Sequence, residues 1–97
     1  MATYVSLLRF TQQGIQNIKQ APDRLDAAKR AFEAAGGKLL AFYLVTGQYD
    51  AVIISEAPDN ETVARIALAT CSLGNVRTET LPAFTEDEYR KIVAALP

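Results

Sequence analysis

The side chains of this chain best suited to chemistry are Tyr49 and Asp50, which close a Gly47-Gln48-Tyr49-Asp50 segment, with Tyr43 and Arg9 as candidate companions. A carboxylate set into an apolar run can anchor a polar ligand or handle a proton, and two phenols and a guanidinium would add hydrogen bonds and charge around it. The excluded chemistry is equally informative. Among the 97 residues there is no histidine and a single cysteine, Cys71, so Ser/His and Cys/His pairs, histidine metal ligation and an intrachain disulfide are ruled out. Glycine-rich phosphate loops, metal-ligand clusters and carboxylates paired at a spacing credible for catalysis do not occur, and the sequence implies neither a metal nor a cofactor. Cys71 has no base to activate it and reads as an inert, buried thiol.

These side chains depend on the two strand-like runs that flank the segment. Gly-X is a favoured pair for a two-residue type II′ hairpin loop, so Gly47-Gln48 would set Thr46 opposite Tyr49 and Val45 opposite Asp50. That register places Leu40, Phe42 and Leu44 on one face with Tyr49, Ala51 and Ile53, and Ala41, Tyr43 and Val45 on the other with Asp50, Val52 and Ile54. Asp50 and Tyr43 become diagonal neighbours across the ladder. Two roles fit Asp50: a polar anchor in a pocket, or a brace for the turn through backbone hydrogen bonds. Tyr49 either offers its hydroxyl to a ligand or serves as a cross-strand partner. Arg9 follows Val5 and Leu7 at the end of a first strand, where it binds an anionic ligand or pairs with a carboxylate. Arg77 and Glu79 share a face of the last strand and read as a solvated edge.

Residues 3–10 are rich in β-branched and aromatic types and form the first strand. Pro22 opens a helix whose stripe of Leu25, Ala28, Phe32 and Ala35 ends at Gly36-Gly37. After the hairpin, Asp59 caps a second helix carrying Val63, Ile66, Ala67 and Thr70, which Gly74 terminates. A more polar strand covers residues 75–81. Thr85 and Glu88 then make a capping box for a last helix, with a stripe of Tyr89, Ile92, Val93 and Leu96 that requires a docking surface. The order β-α-β-β-α-β plus a C-terminal helix predicts one α+β domain over residues 1–97, a ferredoxin-like four-stranded antiparallel sheet with helices on one face. The uncovered face, roughly 450 Å² in projection, is apolar in its second and third strands. Pairing of sheets between subunits, as a homo-oligomer, is the expected cover.

Ten basic and eleven acidic residues leave a net charge of −1, which offers no field for nucleic acid. No apolar run reaches the roughly 20 residues that span a bilayer, and the first ten residues lack a signal-peptide pattern. The expectation is a cytoplasmic protein without nucleic-acid or membrane partners.

Several short tracts recur in a known order. Besides Gly47-Gln48-Tyr49-Asp50 they are Thr11-Gln12-Gln13-Gly14, Pro22-Asp23-Arg24, Gly36-Gly37, Ala57-Pro58-Asp59, Gly74-Asn75-Val76-Arg77-Thr78 and Ala83-Phe84-Thr85-Glu86. Together they resemble the bacterial GYD domain family over nearly the whole chain. The resemblance implies a dimeric α+β barrel built from paired sheets, and it carries Gly47, Tyr49 and Asp50 over as a signature without an assigned role. The expectation is an oligomeric small-molecule-binding or sensing module using Tyr43, Tyr49, Asp50 and Arg9. The alternatives are a cofactor-independent oxygenase or isomerase acting on a small aromatic or quinone-like compound, and a purely structural oligomer.

Overall fold

A computed structural model describes all residues from Met1 to Pro97. The chain runs β1 (Ala2–Phe10), α1 (Gln12–Gln16), a 3-10 turn (Ile18–Gln20), α2 (Ala21–Ala34), β2 (Lys38–Leu44), β3 (Ala51–Ala57), α3 (Asn60–Ser72), β4 (Val76–Ala83) and α4 (Glu86–Ala94). The strands form one antiparallel sheet in the order β2-β3-β1-β4, which is the ferredoxin-like arrangement. Phe32 of α2 and Val63 of α3 join a single buried cluster with Tyr4, Leu39 and Ala57, so both helices lie on the same face.

Local signals explain where the helices begin and end. Pro22 sits in the first turn of α2, where its missing N–H costs nothing. Gly36 stops that helix with φ +83°, and Gly37 N–H donates to Phe32 O at 2.8 Å. Asp59 caps α3 by accepting from Thr62 N–H at 2.8 Å and from the Thr62 hydroxyl at 2.7 Å. Thr85 and Glu88 make the reciprocal capping box of α4, with contacts of 2.9 and 3.2 Å.

Side-chain alternation along β1 puts Tyr4, Ser6 and Leu8 beneath the helices and leaves Val5, Leu7 and Arg9 on the open face. Beneath α2 and α3, Tyr4 is completely buried, and its hydroxyl donates to Asn60 Oδ1 at 2.6 Å. A second cluster, Leu8, Ala51 and Val76, fills the far end of the same face, and the half-buried Cys71 packs against it.

β2 departs from simple alternation. Leu39 pairs with Ser55 but Ala41 pairs with Ile54, so Leu40 is an extra, bulged residue. The expectation that Leu40 shares a face with Phe42 is therefore corrected: Leu39 is 8% exposed and enters the core, whereas Leu40 is 47% exposed. One inserted residue moves every side chain beyond it to the opposite face.

The register nearer the connection is as expected, with Tyr43 opposite Val52 and Leu44 opposite Ala51, but the tight turn is not formed. β2 stops at Leu44 and β3 starts at Ala51, and Gly47 has φ +156° instead of the roughly +60° of a type II′ turn. Val45 N–H still donates to Asp50 O at 2.9 Å, while Asp50 N–H is drawn to Leu8 O at 2.8 Å and Gln48 O to Arg9 Nε at 2.9 Å. The connection is held against β1 as well as β2, which opens it into a wider loop.

α4 packs substantially on no other element, and Tyr89, Ile92, Val93 and Leu96 are all exposed. The radius of gyration, 14.6 Å, accordingly exceeds the roughly 13 Å of a compact chain this long. No helix is long and apolar enough to cross a membrane.

Candidate functional site

β1 ends and β4 begins at the same end of the sheet. Their antiparallel register sets Arg9 directly opposite Arg77 and Leu7 directly opposite Glu79. The loop before β3 swings over this corner, so the Arg9 guanidinium carbon lies 4.7 Å from the centre of the Tyr49 ring. That distance is within cation–π range, and the ring fixes a side chain that would otherwise be free. The Tyr49 hydroxyl reaches across to β4 and donates to the Glu79 carboxylate, 3.2 Å from each oxygen. Leu7, Arg9, Tyr49, Arg77, Thr78 and Glu79 enclose a recess of about 200 Å³.

The electrostatics of this corner are unbalanced. Like charges placed directly opposite across a ladder repel, yet Arg9 and Arg77 form that pair, and neither has an ion-pair partner. The chain's ion pairs, Glu61–Arg65 and Glu86–Arg90, both lie along helices. Arg9 spends its Nε on the Gln48 carbonyl and its face on Tyr49, which leaves the terminal nitrogens available. Two unpaired guanidinium groups beside one carboxylate suit a small molecule carrying an anionic group, with room for an ammonium against Glu79.

Of the four residues singled out from sequence, Arg9 and Tyr49 meet in this recess. Asp50 stands next to it, with its Oδ2 accepting from Phe10 N–H at 2.8 Å and its own N–H held by Leu8. In this geometry Asp50 braces the end of β1. Tyr43 is 61% exposed on β2, the edge strand two positions from β1 in the sheet, and makes no hydrogen bond to Asp50. Arg77 and Glu79 are the charged contributors that sequence reasoning left as a solvated edge. Their signal was slight, two charges two residues apart on one strand face, and the meetings of Arg77 with Arg9 and of Glu79 with Tyr49 depend on β4 lying beside β1. Nowhere do three or more His, Cys, Asp or Glu side chains converge as a metal site would require.

A second set of contacts ties α1 to the start of β4. Thr11 N–H donates to Asn75 O at 3.0 Å, and its hydroxyl donates to Gly74 O at 2.6 Å. Gln13 Nε2 donates to both Leu73 O and Asn75 Oδ1 at 3.1 Å. At Gly14 a Cβ would collide with the Asn75 carbonyl oxygen, so only glycine allows α1 this close. The Gly47–Asp50 tract and the Thr11–Gly14 and Gly74–Arg77 tracts thus each have a definite place at one end of the sheet. The chain matches the GYD domain profile over residues 4–93. It belongs to the GYD domain family.

This GYD domain is 37% identical over 84 residues to a Thermus thermophilus protein named glutamine synthetase and cystathionine beta-lyase binding protein, with 86% of this chain and 88% of that relative covered. Its fold is similar to the crystal structure of TTHA0845, also from Thermus thermophilus, with a TM-score of 0.55, 30% identity, and 88% of this chain and 95% of that one covered. It is also similar to the leucine response regulatory protein of Mycobacterium tuberculosis, with a TM-score of 0.56 and 14% identity. That match covers 87% of this chain and 51% of the regulator, and it concerns the fold alone.

Proposed function

We propose that this GYD domain is a homo-oligomeric binding module of the bacterial cytoplasm that takes a small carboxylate-bearing molecule in the recess between Arg9, Tyr49, Arg77 and Glu79. The observation that carries the reading is the juxtaposition of Arg9 and Arg77 across the β1–β4 ladder with no ion-pair partner for either. An arrangement that costs stability in the empty protein is repaid when an anion bridges the pair. Allowing roughly 30 Å³ per water-sized group, the recess accommodates about seven non-hydrogen atoms, the size of a small amino acid. Glu79 then faces the ammonium. The open sheet face pairs with a second copy as a dimeric α+β barrel, which shields a recess that is shallow in the single chain.

The test is calorimetric titration of the purified assembly with free amino acids and with their amides. A free amino acid should bind, its amide should bind about tenfold more weakly, and Arg77→Leu should remove the binding while the circular dichroism spectrum stays unchanged. Equal affinity for acid and amide, or undiminished binding by an Arg9→Leu/Arg77→Leu protein, would overturn the ligand assignment. A monomer by light scattering would overturn the pairing.

A second reading, that the module docks on an enzyme, is supported by the Thermus relative named for binding two enzymes and by the unoccupied apolar stripe of α4. Retention of an enzyme that is released by Ile92→Asp and unaffected by Arg77→Leu would favour it over the first.

A further inference from the structure

A larger space lies on the opposite side of the sheet from the Arg9–Arg77 recess. It holds about 330 Å³ between the sheet, α2 and α3, and 17 of its 23 lining residues are hydrophobic. Its origin can be read from the helices. α2 turns Ala21, Ala28 and Ala31 toward it and α3 turns Ala67 and Ala69, so the two helices meet over short side chains that cannot fill the space between them. Packed interiors leave few gaps larger than a water molecule, and this volume falls within the range of small-molecule pockets.

The cavity is not uniformly apolar. Its floor carries hydroxyls, including the Ser6–Thr80 pair at 3.0 Å. At the end where β1 stops and β4 starts it is lined by Arg24 and Asn75. Both converge on Gly14: Arg24 donates to Gly14 O at 3.4 Å and to Asn17 O at 3.0 Å, and the Asn75 backbone abuts Gly14. Arg24 has no acidic partner, since the ion pairs lie elsewhere. The Asn75 amide oxygen is taken by Gln13, which leaves its NH₂ free to donate. An apolar cleft with an unpaired guanidinium and a free carboxamide donor at one end is complementary to an amphiphile with an anionic head and an apolar body.

We infer that the cavity between α2, α3 and the sheet binds a monocarboxylic acid with an apolar aliphatic or arylalkyl body, its carboxylate on Arg24 and Asn75. At roughly 30 Å³ per water-sized group, the space fits about eleven non-hydrogen atoms, the size of octanoate or 3-phenylpropanoate. The floor hydroxyls lie beneath the body and the alanines of both helices flank it. Substitution of the alanines by larger residues would close the chamber.

The experiment is titration of the full chain with sodium octanoate and, separately, 3-phenylpropanoate, followed by calorimetry and by methyl NMR shifts of Ile53 and Ile66. Octanol and octylammonium serve as uncharged and cationic controls. One acid should bind per chain and raise the melting temperature, and preference between the two acids distinguishes an aliphatic from an aromatic body. Arg24→Gln should weaken the acid about tenfold while leaving octanol unchanged. Ala67→Leu should block acid and alcohol alike, and Ala28→Leu repeats this from the other wall should the first variant fail to fold. Absence of saturable binding by either acid, or binding indifferent to both Arg24→Gln and the leucine variants, overturns the inference. Binding that emerges only in an Ile92→Asp protein also overturns it, because the occupant of the wild-type cavity is then α4 of a second copy.

Discussion

Beneath α2 and α3 the sheet presents Tyr4, Leu8, Ala51 and Val76, all buried, whereas its opposite face presents Val5, Leu7, Val52 and Ile54, half-buried with no element of the chain over them. Polar groups divide the other way. The covered face holds neutral hydroxyls at Ser6, Ser55, Thr78 and Thr80, and the open face gathers Arg9, Arg77 and Glu79 at one corner. No sheet residue beneath the helices is charged, because desolvation there would be uncompensated, and Arg24 stands only at the end of the space between helices and sheet. The open face carries both exposed apolar area and unbalanced charge, the combination expected of a surface that meets other molecules.

The strongest attack on this contrast is at Tyr4. Its ring is fully buried and its hydroxyl is bonded to Asn60, so Tyr4→Ala should cost about 3–5 kcal/mol, measured by urea unfolding. A loss no greater than that of an exposed strand residue would mean that the covered face is not the core. Next comes Ser55, a fully buried residue whose hydroxyl has no hydrogen-bond partner. Ser55→Ala removes an uncompensated group, and the expected result is a gain of about 1 kcal/mol in the same assay. A loss of stability would show that the hydroxyl is satisfied in the folded protein.

On the open face the effect should fall on assembly instead of folding. Ile54→Glu should lower the stability of the isolated chain by less than about 1 kcal/mol, while light scattering should show the proposed homo-oligomer reduced to monomer. An unchanged oligomer mass would remove the open face from the interface. The smallest effect is expected at the helix starts, which belong to neither face. The Thr62 hydroxyl and then the Thr62 N–H hold Asp59 below its ordinary 3.8, and the Thr85 N–H and then the Thr85 hydroxyl hold Glu88 below its ordinary 4.5. A carboxylate depressed in the folded state contributes stability that is complete above its unfolded value and lost as pH falls through the folded one. Protection of the Thr62 and Thr85 amides, which donate to these two carboxylates, measured as exchange relative to the intrinsic rate at each pH, should therefore fall only below about pH 4, and equal protection on both sides of that range would deny these caps their role.

Much of this was readable along the chain because each signal acts over a few residues. Asp59 and the Thr85–Glu88 pair announce their helices by satisfying nearby N–H groups, Gly36 and Gly74 supply the left-handed stops, and Leu44 pairs with Ala51 in the register that a two-residue Gly47-Gln48 loop would set, although that tight turn is not formed. The Leu40 bulge escaped that reasoning because either leucine satisfies the apolar pattern, and only the fit of β2 on β3 selects Leu39 for the core. Glu79 escaped it because strand order is a non-local property: Tyr49 finds Glu79, and Arg9 faces Arg77, only once β4 has paired with β1.

The sequence by itself determined the order of elements, the helix boundaries, the register beside the loop and the family signature, since hydrogen-bonding capacity and apolar periodicity are local properties of neighbouring residues. Tertiary structure decided which charges meet at the corner of the open face, that Asp50 braces β1 while Tyr43 stands apart, that α4 remains uncovered, and that the alanines of α2 and α3 leave a chamber between them. Each of these is set by the relative placement of segments far apart in the chain, and there packing and strand pairing, rather than local propensity, determine the free energy.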